Sequence, residues 1–383
     1  MSLIYFDNAA TTFKKPSILH DFMYDYYQAN SISIDRGFGG AVSGVNNIVK
    51  DTRSLLKELF HANIEYEAIL TATATEAINI ILQGLDWREN DVVYISPFEH
   101  NAVYRVVKYL EKIKKIQVQI LEVDKQTLEL NLESIRAQFI IKRPKMVVVT
   151  HVSNVCGNIL DINSLGKLVK DFGAKYLVDC AQSTGLLETD VMNCCADYMV
   201  FAGHKTLYGP TGCSGFLCKK ISAIKPLLFG GTGIDSASED MPNELPTRYE
   251  PGTRNILSIA GLNASLRWIK EIGINKIRAK ENENYNLLLD LLASYDFIEI
   301  IGKGTSSTSI VSCRFKGLSP DNVGQVLAEQ GVVVRTGLQC APLAHKFLGT
   351  FPEGTVRFSV SYFTDAKDYE TLRMSLENIK GEL

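Results

Sequence analysis

The chain has 383 residues, of which 46% are hydrophobic and 22% charged, and its formal net charge is −3. This composition is typical of a globular protein with a full hydrophobic core, and the length allows about two or three domains. The small net charge and the lack of a basic run argue against a nucleic-acid partner. No stretch approaches the roughly 18 apolar residues of a membrane span, and the first residues do not resemble a signal peptide, so we expect a cytoplasmic protein.

Hydrophobic periodicity predicts a helix over 44–60, followed by short apolar runs of strand length that mostly alternate with helical segments. The strands are predicted at 68–70, 92–95, 116–120, 146–149, 176–178 and 198–201, and the helices near 75–84, 101–113, 132–138 and 163–172. This alternation predicts a mostly parallel sheet covered by helices. The run at 116–120 alternates apolar and polar residues, as in a half-exposed strand, whereas the other runs indicate strands buried on both faces.

The pattern changes near residue 256. Two long helices are predicted over 256–273 and 276–295, followed by strands near 297–301, 309–314, 331–335 and 354–361 and a last helix near 366–378. We therefore expect a large α/β domain over 15–255. Residues 1–14 and 256–383 are expected to form a smaller α+β domain.

The eight cysteines lie at positions 156, 180, 194, 195, 213, 218, 313 and 340. None form a Cys-x-x-Cys pair and their spacing fits no zinc-binding pattern, so we expect no metal site. In a long chain of this kind, most cysteines are small buried hydrophobes. Each is expected to be inert unless its sequence context indicates otherwise.

Polar side chains cluster directly after the predicted strands. In open α/β sheets, ligands bind beyond the carboxyl ends of the strands, so these positions are expected to form one site. They are Thr73, Thr75, His100, Asn154, Asp179, Gln182, His204 and Lys205.

The first of these segments suits a phosphate. Thr73-x-x-Glu76 before an apolar run has the form of a capping box, which by itself indicates only a helix start. Such a helix N-terminus, with the Thr75 hydroxyl nearby, also favours an anion. Neither a GxxxxGK[ST] nor a GxGxxG motif is present, so a small monophosphate cofactor fits better than a nucleotide.

Asp179 and Lys205 indicate which cofactor. A buried aspartate is costly without a positive partner, and a protonated pyridine nitrogen would be one. A lysine that forms an imine with an aldehyde cofactor has a reason to lie inside the protein. Together they are typical of a site for pyridoxal 5′-phosphate (PLP).

The sequence also resembles the class V aminotransferases of PLP fold type I, and within them the cysteine desulfurases and selenocysteine lyases. The resemblance covers essentially the whole chain and implies a seven-stranded, mostly parallel sheet in the large domain. It is carried by FDNAATT (6–12), TATATEAIN (71–79), EHNAV (99–103), HVSN (151–154), VDCAQSTG (178–185), GHKTLYGPTG (203–212), EPGTRN (250–255), RTGLQCAP (335–342) and GTVRFSVSYF (354–363).

The resemblance implies a role for each matching residue around the cofactor. Lys205 is similar to the Schiff-base lysine that also moves the Cα proton, Asp179 to the partner of the pyridinium nitrogen, and His100 to the imidazole stacked on the ring, which is also a candidate acid/base. The remaining implied cofactor contacts are Gln182 and Asn154 near the ring, and Ala74, Thr75, His204 and Thr253 at the phosphate. Because Thr253 matches a threonine that reaches the phosphate across a subunit interface, the resemblance also implies a homodimer with shared active sites.

Other matching residues concern the substrate. Asn154 and Arg357 resemble the residues that bind its carboxylate, while Arg335 and Arg36 are weaker matches for substrate contacts. One position departs from the family pattern, because Ala202 stands where many relatives have a phosphate-binding serine. A missing contact of that kind is worth on the order of 0.5–3 kcal/mol, unless another donor substitutes.

Cys340 narrows the range of reactions expected of a PLP enzyme with this sequence. It lies in RTGLQCAP, just after a predicted strand and in a loop with Gly337 and Pro342, and nearby cations such as Arg335 would favour its nucleophilic thiolate. The short loop resembles that of the group II, SUF-type desulfurases. This implies conversion of L-cysteine to L-alanine with a persulfide on Cys340, which passes sulfur to an acceptor such as a sulfur-relay protein or an iron–sulfur cluster assembly scaffold.

Alternatives remain open at this stage. The same site would suit a selenocysteine lyase acting on L-selenocysteine or a cysteine-sulfinate β-lyase. Selenocysteine chemistry can depend less on a thiol such as that of Cys340, which could also be an incidental loop cysteine. A PLP aminotransferase or epimerase without sulfur transfer is a second class. A non-enzymatic scaffold is a third class, but it is disfavoured because Lys205 and Asp179 are both present.

Overall fold

The computed structural model describes residues 3–30, 40–233 and 237–382. In chain order, its elements are β1 (Ile4–Tyr5), α1 (Ser17–Asn30), α2 (Gly40–Leu59), β2 (Tyr66–Thr71), α3 (Ala74–Gly84), β3 (Val92–Ile95), α4 (Asn101–Lys114), β4 (Gln117–Ile120), α5 (Leu132–Ile141), β5 (Met146–Thr150), α6 (Ile162–Asp171), β6 (Lys175–Asp179), β7 (Tyr198–Ala202), β8 (Ser214–Lys219), α7 (Ile256–Ile272), α8 (Ile274–Ala293), β9 (Ile298–Ile301), β10 (Ile310–Phe315), α9 (Pro320–Glu329), β11 (Val332–Val333), β12 (Arg335–Gly337), α10 (Pro342–Phe347), β13 (Thr355–Ser359) and α11 (Ala366–Glu382).

The main sheet has seven strands in the order β2-β8-β7-β6-β5-β3-β4. Neighbouring strands from β7 to β4 pair in parallel, and β8 pairs antiparallel with both β7 and β2. The expected mostly parallel, seven-stranded α/β sheet is therefore confirmed. The half-exposed strand predicted near 116–120 is β4, which lies at one edge of this sheet.

Both faces of the main sheet are covered by hydrophobic side chains. Along β5, Val147 and Val149 pack into one core cluster, while Met146 and Val148 pack into the cluster on the opposite face. Successive strand residues point to opposite faces, so a strand covered on both sides is apolar at every position. This is why continuous apolar runs were the correct sequence signal for the central strands.

Five of the described elements were not predicted from the sequence: β1, α1, β8, α9 and α10. Helix α1 buries only Leu19 and exposes Ile18, Tyr24 and Tyr27, so its apolar residues form no clear inward face. Strand β8 was not assigned, although it is buried like its neighbours. Helix α9 buries only Val323 and Leu327, too few residues for a strong periodic pattern.

The C-terminal part of the chain forms a second sheet. Strands β12, β13, β10 and β9 are adjacent and antiparallel, while β11 pairs in parallel with β1 at the start of the chain. The single strand predicted near 331–335 is therefore two strands, and the chain passes from one sheet to the other at Val334. The N-terminal segment is thus attached to the C-terminal elements, as expected.

Helix α7 packs against α1 and α2. Its residues Ile259, Leu262 and Leu266 belong to the same core cluster as one face of the main sheet. The proposed domain boundary between 255 and 256 therefore precedes a helix that contacts the large sheet, and the division into 15–255 and the remaining residues stays a prediction.

Among the helices of the described residues, none has the length and hydropathy needed to cross a bilayer.

A buried ion pair ties α2 to the segment before α7. The Arg53 guanidinium donates to both carboxylate oxygens of Glu250, at 2.8 and 2.6 Å, and Glu250 also accepts from the Leu70 amide at 2.7 Å. Both side chains are at least nine-tenths buried. Glu250 therefore joins α2, β2 and the EPGTRN segment.

We expect Glu250→Ala to lower the free energy of unfolding by about 3–5 kcal/mol, because it leaves the buried Arg53 charge unpaired. The control is Glu58→Ala, which removes an exposed pair with Lys270 and should cost at most about 1 kcal/mol. Chemical denaturation of both variants at one protein concentration measures the two effects. Equal losses would contradict the prediction.

Candidate active site

A cavity of about 320 Å³ opens at the carboxyl edge of the main sheet. Strands β6 and β7, which are adjacent and parallel, end there in Asp179 and Ala202. Eleven of the thirteen predicted site residues line this cavity: Ala74, Thr75, His100, Asn154, Asp179, Gln182, His204, Lys205, Arg335, Cys340 and Arg357. All eight residues predicted by the strand-end rule, from Thr73 to Lys205, line this cavity, whereas Ala74, Arg335, Cys340 and Arg357 were implied by the resemblance.

Two predicted site residues are not in this cavity. Thr253 lines a neighbouring cavity of about 230 Å³, together with Glu250 and Arg254. Thr253 was predicted to contact the phosphate in the site of a partner subunit. Its location in one subunit therefore does not test this prediction. Arg36 lies outside the described residues.

The N-terminus of α3 forms one wall of the cavity. Thr73 is its N-cap and accepts from the Glu76 amide at 3.0 Å, while Glu76 accepts from the Ala72 amide at 2.9 Å, so the capping box is confirmed. The first amides of a helix have no acceptor within the helix, and those of Ala74 and Thr75 belong to residues that line the cavity. This wall suits an anion.

His204 contributes an unused polar atom near this wall. Its Nδ1 is buried without a hydrogen-bond partner. Burial, with smaller contributions from Lys205 and Lys15, lowers the pKa of His204 to about 4, so the ring is neutral at pH 7. A buried ring nitrogen without a partner is expected to meet a ligand.

Asp179 is buried in the cavity wall and Lys205 is partly buried there. Burial lowers the pKa of Lys205, and the charge of Asp179 opposes this shift. Burial raises the pKa of Asp179, although its hydrogen bond from the Ala181 amide and the charge of Lys205 both favour the carboxylate. A lysine with a lowered pKa is a good nucleophile for an aldehyde, and a buried aspartate suits a cationic ring nitrogen.

His100 begins helix α4 as its N-cap. Its Nδ1 accepts from the Ala102 amide at 3.0 Å, which places the ring proton on Nε2. Burial first, then the charges of Lys205, Arg357 and Arg105, lower the pKa of His100 to about 4. The imidazole is therefore neutral at pH 7 and retains an Nε2–H group for the cavity.

The two amide side chains of the site are anchored to distant backbone. Gln182 Nε2 donates to the Ala9 carbonyl at 2.8 Å, and Asn154 Nδ2 donates to the Gln339 carbonyl at 2.7 Å. Each amide nitrogen carries a second hydrogen, and each side chain also has a carbonyl oxygen. Both residues can therefore contact a ligand while these anchors remain.

Arg335 and Arg357 face each other across two strands. They are paired in the antiparallel register of β12 and β13, where two like charges are normally unfavourable. Asp7 forms an ion pair with Arg357, whose Nη1 donates to the Asn154 carbonyl at 2.9 Å. Arg357 Nε is buried without a partner. Two adjacent guanidinium groups with an unused donor suit a carboxylate ligand.

Cys340 lies at the rim of the cavity. All eight cysteines are in the described part of the chain; six are buried, Cys195 is partly exposed and Cys340 is exposed. Cys340 sits in the four-residue connection between β12 and α10, as expected for a loop cysteine. An exposed thiol beside a lysine and two arginines is the arrangement expected of a reactive cysteine.

The FDNAATT segment (6–12) has no role predicted from the sequence. In the structure, it stabilises the turn that carries Lys205: Thr11 Oγ1 donates to the His204 carbonyl at 3.0 Å and the Thr12 amide donates to it at 3.2 Å. Lys15 Nζ, just after the segment, donates to the same carbonyl at 3.0 Å. Asp7 of the same segment pairs with Arg357. The only sequence signal for these contacts was the run of small polar residues itself.

Glu281 of α8 also stabilises the turn that carries Lys205. Tyr208 donates to one carboxylate oxygen at 2.5 Å and Ser309 to the other at 2.6 Å. Burial raises the pKa of Glu281 to about 7, although both hydroxyl groups favour the carboxylate. Glu281 thus links the Lys205 turn to β10 through one buried carboxyl group.

These features define a protein of the PLP-dependent fold type I class. Three features of the cavity fit this cofactor: a helix N-terminus that suits an anion, a lysine of lowered pKa, and a buried aspartate at the end of a parallel strand. The family model for class V aminotransferases matches residues 4–372. The chain belongs to this family.

Similar proteins are named more narrowly. The chain is 32% identical over 391 residues to a probable cysteine desulfurase of Pyrococcus abyssi, covering 100% of this chain and 95% of that protein. It is 31% identical to a probable cysteine desulfurase of Methanothermobacter thermautotrophicus, covering 99% and 95%. Its structure resembles that of an apo cysteine desulfurase of Thermococcus onnurineus with a TM-score of 0.91, at 29% identity and 100% and 95% coverage.

The position of Ala202 generates a prediction about cofactor affinity. Its side chain lines the cavity close to Thr75 and His204, where a hydroxyl group could donate to a phosphate. We expect Ala202→Ser to lower the dissociation constant of PLP at least about twofold. PLP titration of the apo protein, followed by absorbance, measures the change. Ala10→Ser adds a hydroxyl to the same cavity from the N-terminal segment and should have no effect; equal gains in both variants would contradict the prediction.

Glu281 generates a prediction about pH. Its pKa is raised from 4.5 to about 7, so the unfolded chain loses this proton before the folded protein does as pH increases. Relative to Glu281→Gln, the free energy of unfolding of the unaltered protein should therefore fall by roughly 3 kcal/mol between pH 4.5 and 7, and be constant above that.

Chemical denaturation of both proteins at several pH values tests this. Glu283→Gln is the control, because Glu283 lies on the same helix in a largely exposed pair with Lys280. It should show the same pH dependence as the unaltered protein. A pH-independent difference between the unaltered protein and Glu281→Gln would show that Glu281 is charged throughout this range.

Proposed function

We propose that this protein is a PLP-dependent cysteine desulfurase, which converts L-cysteine to L-alanine and carries the sulfur as a persulfide on Cys340. The observation that carries the proposal is that exposed Cys340 lines the same cavity as Lys205 and the buried Asp179. The names of the relatives and of the structural neighbour support it. Family membership alone would leave other class V reactions open.

The cavity offers a place for each part of the cofactor. The amides of Ala74 and Thr75 and the free Nδ1 of His204 would hold the phosphate, and Asp179 would pair with the ring nitrogen. His100 would lie against the ring. When bound, PLP supplies an aldehyde that reacts with amines and a ring that accepts electrons from the substrate Cα.

Lys205 is the proposed proton carrier. Once its Nζ is free of the cofactor, it takes the proton from the substrate Cα and later returns one to the product. Burial lowers the pKa of Lys205 towards the operating pH, which suits a group that must both accept and donate a proton. The charge of Asp179 favours the protonated form of this amine.

The substrate carboxylate would be bound by Arg357, Arg335 and Asn154. Asp7 and the Asn154 carbonyl fix the Arg357 guanidinium and leave Nε available. A carboxylate held on this side of the cavity would direct the substrate side chain towards Cys340 at the rim. Such residues are expected to orient the substrate for reaction as well as to increase its affinity.

Cys340 is the proposed sulfur acceptor within the protein. Its thiolate attacks the sulfur of the bound cysteine, an S–S bond forms and the Cβ–S bond breaks. The electron pair of the broken bond stays on the carbon fragment, which takes up protons and leaves as alanine. The enzyme thiol and cysteine thus become an enzyme persulfide and alanine, so no external oxidant or reductant is needed.

Further parts of the proposal concern partners. Thr253 lies away from its own cavity, which supports a homodimer in which it serves the partner subunit's phosphate. The four-residue connection that carries Cys340 supports the short-loop, group II type. The exposed position of Cys340 supports transfer of its sulfur to an acceptor protein, as in cytoplasmic iron–sulfur cluster assembly.

We expect Cys340→Ser to retain the absorbance of bound PLP and to lose at least about 99% of alanine and sulfide formation from L-cysteine. The reason is that the serine hydroxyl cannot take up the sulfur. Alanine is measured by amino-acid analysis, and mass spectrometry of the unaltered protein after turnover should show one added sulfur atom on Cys340. Cys195→Ser is the control for a partly exposed cysteine outside the cavity.

Other outcomes would identify the alternatives. Undiminished desulfuration by Cys340→Ser would rule out the persulfide mechanism. A rate on L-selenocysteine that far exceeds the rate on L-cysteine in the unaltered protein, and that Cys340→Ser leaves unchanged, would indicate a selenocysteine lyase. Formation of a keto acid or of the inverted amino acid, without alanine, would indicate an aminotransferase or epimerase.

A further inference from the structure

The backbone at Cys340 has a conformation that must be held in place. Gln339 and Cys340 both have positive φ values, of 38° and 58°. Residues with a Cβ adopt this region rarely, and two in succession persist only where surrounding contacts impose them. The direction of the Cys340 side chain therefore depends on what fixes these two residues.

The Gln339 side chain points into the protein rather than into solvent. It is only 5% exposed, although its neighbour Cys340 is exposed. Its Nε2 donates to the Thr355 carbonyl of β13 at 3.0 Å. Its Oε1 accepts from His345 Nε2 at 2.8 Å and, over a longer distance of 3.2 Å, from Thr355 Oγ1. Gln339 thus attaches the loop to the strand that also carries Arg357.

The His345 ring is fully buried on α10. Its Nδ1 lies 2.7 Å from Thr350 Oγ1, and its Nε2 faces Gln339 Oε1. Because Gln339 donates to a carbonyl through Nε2, its Oε1 can only accept, so the proton of His345 lies on Nε2 and Thr350 donates to Nδ1. Burial, with a smaller contribution from Arg314, lowers the pKa of His345 to about 4, which keeps this neutral form at pH 7.

The loop backbone is also tied to the opposite side of the cavity. The Asn101 amide, next to His100, donates to the Cys340 carbonyl at 2.7 Å. Asn154 Nδ2 donates to the Gln339 carbonyl at 2.7 Å. Both carbonyls of the left-handed pair are therefore held, and the Gln339 side chain supplies the third anchor.

We propose that Gln339 and His345 are positioning residues for Cys340: neutral His345 fixes the Gln339 side chain, and Gln339 holds Cys340 in the left-handed conformation that directs its thiol to the substrate. This inference rests on the proposed function. Neither residue touches the sulfur; they act through the backbone. Misplacement of a reacting atom by about 1 Å can reduce a rate about a hundredfold.

The test compares two substitutions of His345. His345→Leu keeps the approximate size of the side chain but removes the shorter of the two hydrogen bonds to Gln339 Oε1, and we expect kcat for alanine formation to fall tenfold or more. KM for L-cysteine and the absorbance of bound PLP should change less than twofold, because the cofactor and carboxylate contacts remain. His345→Gln retains an amide donor at similar reach and should recover most of kcat.

Gln339→Met is the second variant, since it preserves side-chain length and removes all three side-chain hydrogen bonds of Gln339. It should show the same loss of kcat at unchanged KM, even where His345→Leu folds poorly. The second measurement does not depend on activity: hydrogen exchange of the peptide spanning 335–347 in the PLP-bound protein should be at least fivefold faster in Gln339→Met than in the unaltered protein. Thermal unfolding identifies variants that are merely unstable.

The outcomes separate the two proposals. If the unaltered protein forms no alanine from L-cysteine, the proposed function is refuted. The hydrogen exchange experiment would still test whether the Gln339 side chain stabilises the loop. Gln339→Met with kcat within twofold of the unaltered protein would overturn the positioning role. A loss of kcat in His345→Gln as large as in His345→Leu would also overturn it, because the donor would then be irrelevant.

Discussion

The structure depends on the placement of a lysine amine and an aspartate carboxylate in a buried wall. Lys205 and Asp179 follow adjacent parallel strands, so the sheet itself brings them to one edge. Burial disfavours the charge on each, and their mutual attraction, together with the hydrogen bond from the Ala181 amide to Asp179, offsets part of that cost. The surrounding contacts hold this turn from several directions: the N-terminal segment binds the His204 carbonyl, and Glu281 binds Tyr208. A large share of the polar network therefore serves one short segment.

The sequence was sufficient for the parts of the site that follow from strand order. Asp179 and Lys205 could be placed because the ends of parallel strands share an edge, and because their side chains have few other reasons to be buried there. The pairing of Arg335 with Arg357 could not be predicted, since it depends on the antiparallel register of β12 and β13 and on the division of the strand at Val334. Register between distant segments has no local signal in the sequence.

Other parts of the fold show the same division between local and distant causes. Continuous apolar runs were sufficient for the central strands because both faces of the sheet are covered. Helix α1 was not predicted because Leu19 is its only fully buried residue. Part of its contact with α7 is a close approach of Met23 to Gly261. The glycine at position 203 is also explained by a distant contact, because a Cβ there would lie 2.1 Å from the Cys213 carbonyl oxygen of a neighbouring chain segment. Glycine before the His-Lys pair thus reflects a close backbone approach.

The two side chains proposed to react occupy different environments, and the proposed chemistry requires this. Lys205 is partly buried, with its pKa lowered by desolvation, whereas Cys340 is exposed at the rim. In the proposed reaction, a sulfur taken up inside the cavity must leave towards another molecule, so a buried thiol could accept it but could not deliver it. The four-residue loop meets both needs without a large movement, because it starts at the strand bearing Arg335 and ends at α10. Such a short loop can serve at a fixed position only when its backbone is constrained, and the buried Gln339 side chain provides that constraint from the protein interior.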